Sequence, residues 1–339
     1  MNAHIRQIEY ALPARVLGNE EIAAQFPDWS VAKISAKTGI SERHIAAKDE
    51  YSSDLAFSAC RKLFDTGTCA PADFDFLILC TQSPDYFLPS TACLLQSRLN
   101  LPQSCGAFDF NLGCSGYVYG LGVAKGLIET GQARNVLLVT AETYSKFLRE
   151  DDKTVRTIFG DAATATWVAG REAPAGAPAD LGPFVYGTDG SGADNLIVKR
   201  GGLRSGAFNA GPDAQAAAAP LLHMNGPEIF NFTLRVVPGC VKQLLERSGL
   251  SLEAVDFFVM HQANRYMLEH LRDKMGIPPS KFMVFMENTG NTVSSTIPIL
   301  IDDLRAAGRL KPGVKSLLIG FGVGLSWGGC AWTETWAGK

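Results

Sequence analysis

The sequence predicts an α/β fold built from two similar halves about a pseudo-two-fold axis. Short apolar runs of strand length alternate with longer segments of helical periodicity, which is typical of α/β proteins. Four landmarks of the first half recur in the same order in the second half at offsets of 177 to 180 residues. These pairs are DFDFLILCTQ and AVDFFVMHQ, NLGCSG and NTGNTV, ETG and AAG, and ARNVLLV and GVKSLLI. Four landmarks at one spacing indicate a duplicated unit.

Eight apolar runs have the length and composition of buried strands. They occupy residues 74–80, 106–111, 135–142, 164–170, 255–261, 282–287, 316–322 and 328–336. The segment 171–180 is rich in Ala, Pro and Gly, and we predict that it links an N-terminal half (1–170) to a C-terminal half (181–339). Residues 204–220 have the composition of a long surface loop, after which Asn225 and Pro227 mark the start of a helix.

The composition is that of a globular protein, with 46% hydrophobic residues and a net charge of −3 over 339 residues. This charge gives no general attraction to nucleic acid or to an anionic membrane. The N-terminus lacks a basic segment followed by an apolar one, and no stretch approaches the roughly 20 apolar residues of a membrane helix. We therefore expect a cytoplasmic protein without a membrane partner. The eight cysteines form no C-x-x-C pair, so neither a disulfide framework nor a metal site is expected.

Cys114 is the candidate nucleophile, because it lies between two glycines at the junction of an apolar strand and a helix-like segment. The N-terminus of a helix presents unpaired N–H groups and the positive end of its dipole, and both lower the pKa of a nearby thiol. The alternative interpretation is a small buried residue in a tight turn, since free cysteines are often buried and inert.

The duplication brings two further side chains toward Cys114. Its offset places Asn291 opposite Cys114, and it places His261 at the end of the strand that matches residues 74–80. Equivalent points of two packed halves meet between them, at strand ends where α/β proteins usually build sites. A structural histidine and asparagines that only form turns are the alternatives.

The glycine-rich run 320–329 does not predict a dinucleotide site. Such a fingerprint opens a helix, whereas this run leads into the strand-like stretch 328–336. Its glycines would instead allow backbone N–H groups to approach a ligand closely.

Six motifs make the chain similar to the β-ketoacyl-acyl-carrier-protein synthase III family of the thiolase superfamily. In order they are KTGISERHIA, NLGCSGYVYGL, RTIFGDAATA, MHQAN, NTGNTVSSTIP and GFGVGLSWG. The resemblance covers nearly the whole chain. It implies a thiolase-like five-layer αβαβα fold, usually homodimeric, with an active site at the end of a tunnel between the two halves.

The resemblance also implies a decarboxylating Claisen condensation with no permanently bound cofactor. An acyl group passes from coenzyme A or acyl carrier protein to Cys114, and the backbone N–H groups of Cys114 and Gly324 form the oxyanion hole. Malonyl-carrier protein then loses CO2 to give an enolate that attacks the acyl-cysteine. His261 and Asn291 donate hydrogen bonds to the malonyl thioester oxygen. Because decarboxylation generates the carbanion, no second cysteine is needed as a base.

Several positions differ from the pattern of well-studied family members. Lys33 and Lys37 stand where those members have the Trp and Arg that hold coenzyme A, and Lys153 replaces a further nucleotide-contacting Arg. Lysine binds phosphate as a point charge but lacks a planar fork and a stacking surface. Leu88 replaces an aromatic residue of a tunnel-lining loop, which makes it an acyl-pocket candidate. The predicted positive rim for an acidic carrier protein comprises Lys33, Lys37, Lys153, Arg265, Arg272 and Lys274.

These departures indicate a specialised pathway of fatty acid, lipid or polyketide biosynthesis. Two other functions stay open. The first is an acyltransferase that passes the acyl group from Cys114 to an alcohol or amine. The second is a non-catalytic partner subunit, which the intact set of Cys114, His261 and Asn291 disfavours because a scaffold needs none of them.

Overall fold

The computed structural model describes residues 1–174, 176–205 and 221–338. Residues 206–220 of the predicted surface loop lie outside this described part. The strands are β1 Asn2–Ala11, β2 Arg15–Gly18, β3 Glu42–Ile45, β4 Phe76–Cys80, β5 Gly106–Phe110, β6 Asn135–Glu142, β7 Ala162–Arg171, β8 Leu181–Thr188, β9 Leu196–Val198, β10 Leu222–Met224, β11 Phe257–Met260, β12 Lys315–Gly322 and β13 Ser326–Thr333. The helices are α1 Asn19–Gln25, α2 Val31–Thr38, α3 Ser52–Asp65, α4 Thr91–Arg98, α5 Gly116–Glu129, α6 Lys153–Arg156, α7 Gly226–Ser248, α8 Arg265–Met275 and α9 Thr296–Ala306.

Two large sheets repeat one topology. The first has the strand order β1-β7-β6-β4-β5, and the second has the order β11-β12-β13-β8. In both, the central parallel pair is followed by two antiparallel partners. Where the first sheet has β5, the second has only an isolated parallel bridge between Phe258 and Phe282. The predicted duplication is therefore confirmed by the strand order.

Helices and sheets alternate in five layers. Helices α3 and α4 pack on the outer face of the first sheet, α5 and α9 fill the space between the sheets, and α7 and α8 cover the outer face of the second. Alternation along β11 shows how the sequence does this, because Phe258 and Met260 face the outer helices while Val259 faces the middle layer. Both faces of each sheet are buried, which explains the continuous apolar runs.

Seven of the eight predicted strands exist, and the prediction of a strand at 282–287 is wrong. The side chain of Gln262 takes the hydrogen bonds that a neighbouring strand would need there. Its Nε2 donates to the carbonyl of Met283 at 3.2 Å, and its Oε1 accepts from the N–H of Phe285 at 2.7 Å. The predicted set lacks β1 and β8 of the large sheets and the short strands β2, β3, β9 and β10.

The predicted linker 171–180 falls between β7 and β8, and the start of α7 agrees with its capping pattern. β7 ends at Arg171 and β8 begins at Leu181. The side chain of Asn225 accepts from the N–H of Glu228 at 3.4 Å at the start of α7, with Pro227 in the first turn. Within the described residues, no helix combines the length and apolarity needed to cross a bilayer.

Candidate active site

Cys114 lies in the turn between β5 and α5, and glycines bring β12 against it. A Cβ on Gly320 would lie 2.6 Å from the carbonyl oxygen of Cys114, and one on Gly322 would lie 3.0 Å from its Sγ. Real side chains do not tolerate such distances to backbone atoms. Gly320 and Gly322 therefore allow β12 to approach the turn that carries Cys114.

The pKa of Cys114 departs from the sequence prediction. Burial, together with the charge of Glu142, raises the pKa of the Cys114 thiol to about 12. The N–H groups of Cys114 itself and of Val323 face the sulfur and oppose this effect. The expectation of a lowered pKa is wrong, because desolvation of the thiolate outweighs the donors around it. Cys114 is a neutral thiol in the free protein.

The second backbone amide that faces the sulfur belongs to Val323, the residue before Gly324. A Cβ on Gly324 would meet the N–H and side chain of Ser326 at 3.0 to 3.4 Å. Ser326 in turn hydrogen-bonds Ser115 through their hydroxyls at 2.6 Å, which ties this loop to the start of α5. Val323 is therefore the second candidate oxyanion donor in this structure, and Gly324 stays a prediction from the resemblance.

His261 follows β11 and is buried, with its Nδ1 2.8 Å from the hydroxyl of Thr296. That hydroxyl donates to the carbonyl of Val293 at 3.2 Å, so it accepts from Nδ1–H. This arrangement leaves the lone pair of Nε2 available. Burial lowers the pKa of His261 to about 3, and the ring is therefore a neutral imidazole.

Asn291 is held by both its backbone and its side chain. Its N–H donates to the carbonyl of Ile158 at 2.9 Å, and its carbonyl accepts from the N–H of Gly160 at 3.0 Å. Its Oδ1 accepts from the N–H of Val293 at 2.9 Å, while Nδ2 lies 3.4 Å from the carbonyl of Ala263. Because Oδ1 is occupied and one N–H of Nδ2 is directed at Ala263, the amide has its second N–H left for the site.

Cys114, His261 and Asn291 line one cavity of about 780 Å³. The three are buried, whereas Tyr266 at the same cavity is 51% exposed and marks its open side. Trp29 and Lys37 also line this cavity. The predicted convergence of a thiol, an imidazole and an amide thus takes place in a space large enough for an extended ligand.

Four of the six predicted rim residues lie beside Trp29 or the end of α2. The ammonium groups of Lys33, Lys37 and Lys153 lie 5.5, 5.0 and 5.8 Å from the ring centroid of Trp29. Lys153 also pairs with Asp28. A Cβ on Gly39, which follows α2, would lie 2.6 Å from the Cβ of Arg265. Sequence reasoning missed Trp29, although a Trp four residues before Lys33 was a usable signal.

The remaining candidates lie elsewhere. Arg272 pairs with Asp273 at 2.7 Å, and Lys274 lines a separate groove beside α7. Leu88 is 82% exposed and does not line the cavity that contains Cys114. The acyl-pocket prediction for Leu88 therefore fails within one chain, because its loop projects into solvent beside Tyr86 and Phe87.

Glu142, at the end of β6, is a buried carboxyl group that sequence reasoning missed. It accepts hydrogen bonds from the N–H of Gln82 at 3.1 Å and from the hydroxyls of Ser83 and Ser294 at 3.3 and 3.0 Å. Burial raises the pKa of Glu142 to about 8. An acidic residue that ends an apolar strand resembles a surface residue in sequence, so no local signal identified it.

Among the described residues, no group of three or more His, Cys, Asp or Glu side chains could hold a metal ion. The site described above is built from a thiol, an imidazole, an amide and backbone donors. Comparison with known proteins identifies the family. Residues 108–190 match the family 3-oxoacyl-[acyl-carrier-protein (ACP)] synthase III, and residues 245–333 match the C-terminal region of that family.

The chain belongs to the 3-oxoacyl-[acyl-carrier-protein] synthase III family. It is 38% identical over 332 residues to a β-ketoacyl-[acyl-carrier-protein] synthase III of Deinococcus deserti, covering 96% of this chain and 89% of that relative.

Two solved structures show the same fold. A crystal structure of a 3-oxoacyl-(acyl-carrier-protein) synthase III superposes with a TM-score of 0.93 at 51% identity, over 98% of this chain and 100% of that one. The priming β-ketosynthase of the R1128 polyketide pathway superposes with a TM-score of 0.89 at 28% identity, over 99% and 97%. The five-layer fold is therefore that of synthase III enzymes.

Proposed function

We propose that this protein is a decarboxylating condensing enzyme that joins an acyl group to a malonyl unit. The observation that carries the proposal is the convergence of the Cys114 thiol, the neutral His261 imidazole and the Asn291 amide in one cavity. Membership of the synthase III family supports it. The acyl donor is a thioester of coenzyme A or of acyl carrier protein, and the acceptor is malonyl-carrier protein.

Acylation of Cys114 begins with transfer of the thiol proton to Nε2 of His261. The sulfur attacks the thioester carbonyl, the tetrahedral oxyanion accepts hydrogen bonds from the N–H groups of Cys114 and Val323, and the donor thiolate leaves. His261 returns the proton to that thiolate. The products are acyl-Cys114 and the free donor thiol, so no proton is gained or lost.

Condensation uses His261 and Asn291 as hydrogen-bond donors. The malonyl carboxylate leaves as CO2, and its electron pair forms an enolate whose oxygen accepts from Nδ2–H of Asn291 and Nε2–H of His261. The second donor needs the imidazole tautomer with its proton on Nε2, and Thr296 accommodates that tautomer because its hydroxyl can turn from the carbonyl of Val293 and donate to Nδ1. The enolate carbon attacks the acyl carbonyl, and the Cys114 thiolate leaves and takes a proton from solvent.

The partner is proposed to be an acidic carrier protein, with Lys33 and Lys37 of α2 beside the open side of the cavity. We also propose a homodimer. The edge strand β5 has a free side in the first sheet, and Tyr86, Phe87 and Leu88 expose 62, 67 and 82% of their surfaces. An unpaired strand edge beside exposed apolar side chains is typical of a surface that a second copy covers.

Separate assays of the two half-reactions, acylation of Cys114 and decarboxylating condensation, test this function. Incubation with a panel of acyl thioesters should load Cys114 alone, as intact-protein and peptide mass spectrometry would show. Addition of malonyl-carrier protein should then release CO2 and a β-ketoacyl thioester. We expect His261→Ala or Asn291→Ala to cut decarboxylation by about 10²- to 10³-fold, the usual loss for one oxyanion donor, with Asn291→Ala sparing acylation.

Other outcomes would identify one of the two alternative functions. Release of the acyl group only to an alcohol or an amine would replace condensation by acyl transfer. Absence of loading at Cys114 across a broad panel would favour a non-catalytic subunit.

A further inference from the structure

Arg43 is a buried cation that the proposed chemistry does not use. It lies on β3, within the motif KTGISERHIA, and its exposed surface is 0%. One guanidinium nitrogen donates to Oδ1 of Asn19 at 2.5 Å, and another donates to the carbonyl of Thr157 at 2.5 Å. Nε has no partner. Among the described residues, no carboxylate forms an ion pair with Arg43, and burial lowers its pKa to about 10.

A second buried arginine, Arg305, shows by contrast that the environment of Arg43 is unusual. Arg305 is similarly buried but pairs with both oxygens of Glu334 at 2.8 and 2.9 Å. A buried charge without a counterion has a large desolvation cost, and apolar residues of similar volume often replace such groups without loss of stability. The stability of the fold therefore does not explain why a cation is present at position 43.

The aliphatic stem of Arg43 packs against both segments that hold Asn291. A Cβ on Gly290 would lie 3.1 Å from Cγ of Arg43, and one on Gly160 would lie 3.3 Å from its Cβ. Gly290 precedes Asn291, and the N–H of Gly160 donates to the carbonyl of Asn291. Arg43 therefore touches the backbone on either side of the candidate catalytic amide.

The guanidinium of Arg43 also connects residues 157–160, which we call the wall beside Asn291, to α2 at the open side of the cavity. Thr157, which accepts from Arg43, lines the cavity. Asn19, the other acceptor, donates from Nδ2 to the hydroxyl of Ser35 in α2 at 2.9 Å. A continuous set of hydrogen bonds thus runs from α2 through Asn19 and Arg43 to the wall beside Asn291.

We propose that Arg43 is a positioning residue that fixes Asn291 for condensation by clamping the Thr157–Gly160 wall and linking it to α2. This inference rests on the proposed function. It assigns Arg43 to the half-reaction that uses Asn291, and not to acylation of Cys114.

The test is a double-mutant cycle of Arg43→Met with Asn291→Ala, followed on the two half-reactions separately. We expect Arg43→Met to slow malonyl-thioester decarboxylation by about 10- to 100-fold, since small misplacements of a reacting group are costly, and to change Cys114 acylation by less than about threefold. In the Asn291→Ala background the same change should have almost no further effect, because coupled residues are non-additive. Arg43→Lys should recover part of the lost rate.

Arg305→Met is the matched control. It leaves Glu334 buried without its partner, so we expect a lower melting temperature, but an effect on decarboxylation that is the same with and without Asn291.

Three results would overturn the assignment of Arg43: equal loss of both half-reactions, an undiminished effect in the Asn291→Ala background, or no loss of decarboxylation. If Arg43→Met does not fold, the same cycle with Arg43→Lys decides, because lysine keeps the charge but lacks the fork that reaches two acceptors. A wild-type protein that loads Cys114 but does not decarboxylate malonyl thioesters would refute the proposed function instead.

Discussion

The thiol of Cys114 lies at the start of α5, near the carboxyl group of Glu142. This environment sets the reactivity of the thiol. Burial raises the pKa of Cys114 to about 12, while the pKa of His261 falls to about 3. Near neutral pH both groups are therefore uncharged. Acylation then depends on proton transfer between them within the complex, and not on a resting thiolate.

A buried, neutral Cys114 thiol predicts a distinctive pH dependence of its alkylation rate. Below its pKa, the thiolate fraction of Cys114 rises tenfold per pH unit, so alkylation by iodoacetamide should rise about tenfold per unit from roughly pH 7 to 10 without a plateau. Above about pH 8, where Glu142 is itself ionised, Glu142→Gln should raise the rate at a given pH, because it removes a charge that raises the pKa of Cys114. Peptide mass spectrometry at Cys114 measures the rate, with free N-acetylcysteine as the control. A plateau below about pH 9.5 would contradict a buried neutral thiol.

At the scale of elements, the contact between β12 and the start of α5 builds the site. A Cβ on Gly320 would lie 2.6 Å from the carbonyl oxygen of Cys114 and 2.7 Å from Cα of Ser115, so both neighbours are backbone. Neither can rotate away as a side chain would. The site therefore tolerates no side chain at this point of β12.

Gly320→Ala should destabilise the fold by about 1–3 kcal/mol, the usual cost of overpacking, and slow Cys114 acylation by at least about tenfold. Gly126→Ala is the matched control, because Gly126 lies in α5 with nothing within 4 Å of a Cβ. That change should stabilise the protein by about 0.5–1 kcal/mol. Urea unfolding and loading rates measure both variants. Full activity and stability of Gly320→Ala would mean that β12 is free to move away from α5.

At the scale of the whole molecule, one chain buries its catalytic set but leaves the edge strand β5 half-buried and the apolar loop with Tyr86 and Leu88 exposed. Surfaces of this kind are usually covered by another protein. A second copy pairing along β5 would place the Leu88 loop against the other chain. This gives the exposed Leu88 a role that a single chain does not provide.

We therefore predict a particle of twice 36.4 kDa by light scattering after gel filtration. Leu88→Asp together with Phe87→Asp should shift the population toward monomer, because two charges would be buried unpaired at the interface. Leu203→Asp, at a residue equally exposed at 82%, should leave the mass unchanged. A wild-type monomer, or an undisturbed dimer in the double variant, would refute this interface.

The repeat and the local patterns determined much of the architecture. Apolar runs located seven strands, because strands buried on both faces must be continuously apolar. The offset of 177 residues paired Cys114 with Asn291 before any distance was known, since a duplicated fold places equivalent turns together. The start of α7 at Asn225 followed from capping chemistry, which is local in sequence.

The tertiary structure decided the features that depend on exclusion of solvent or on contacts between residues that are distant in sequence. The helix N-terminus predicted a lowered pKa for Cys114, but burial by β12 and Glu142 raised it. Gln262 replaced the strand predicted at 282–287, because a side chain can take the hydrogen bonds of a ladder. Arg43 gained its place beside Asn291 through contacts across more than 240 residues of sequence. Local sequence carries propensity and periodicity, whereas desolvation and long-range contact exist only once the chain has folded.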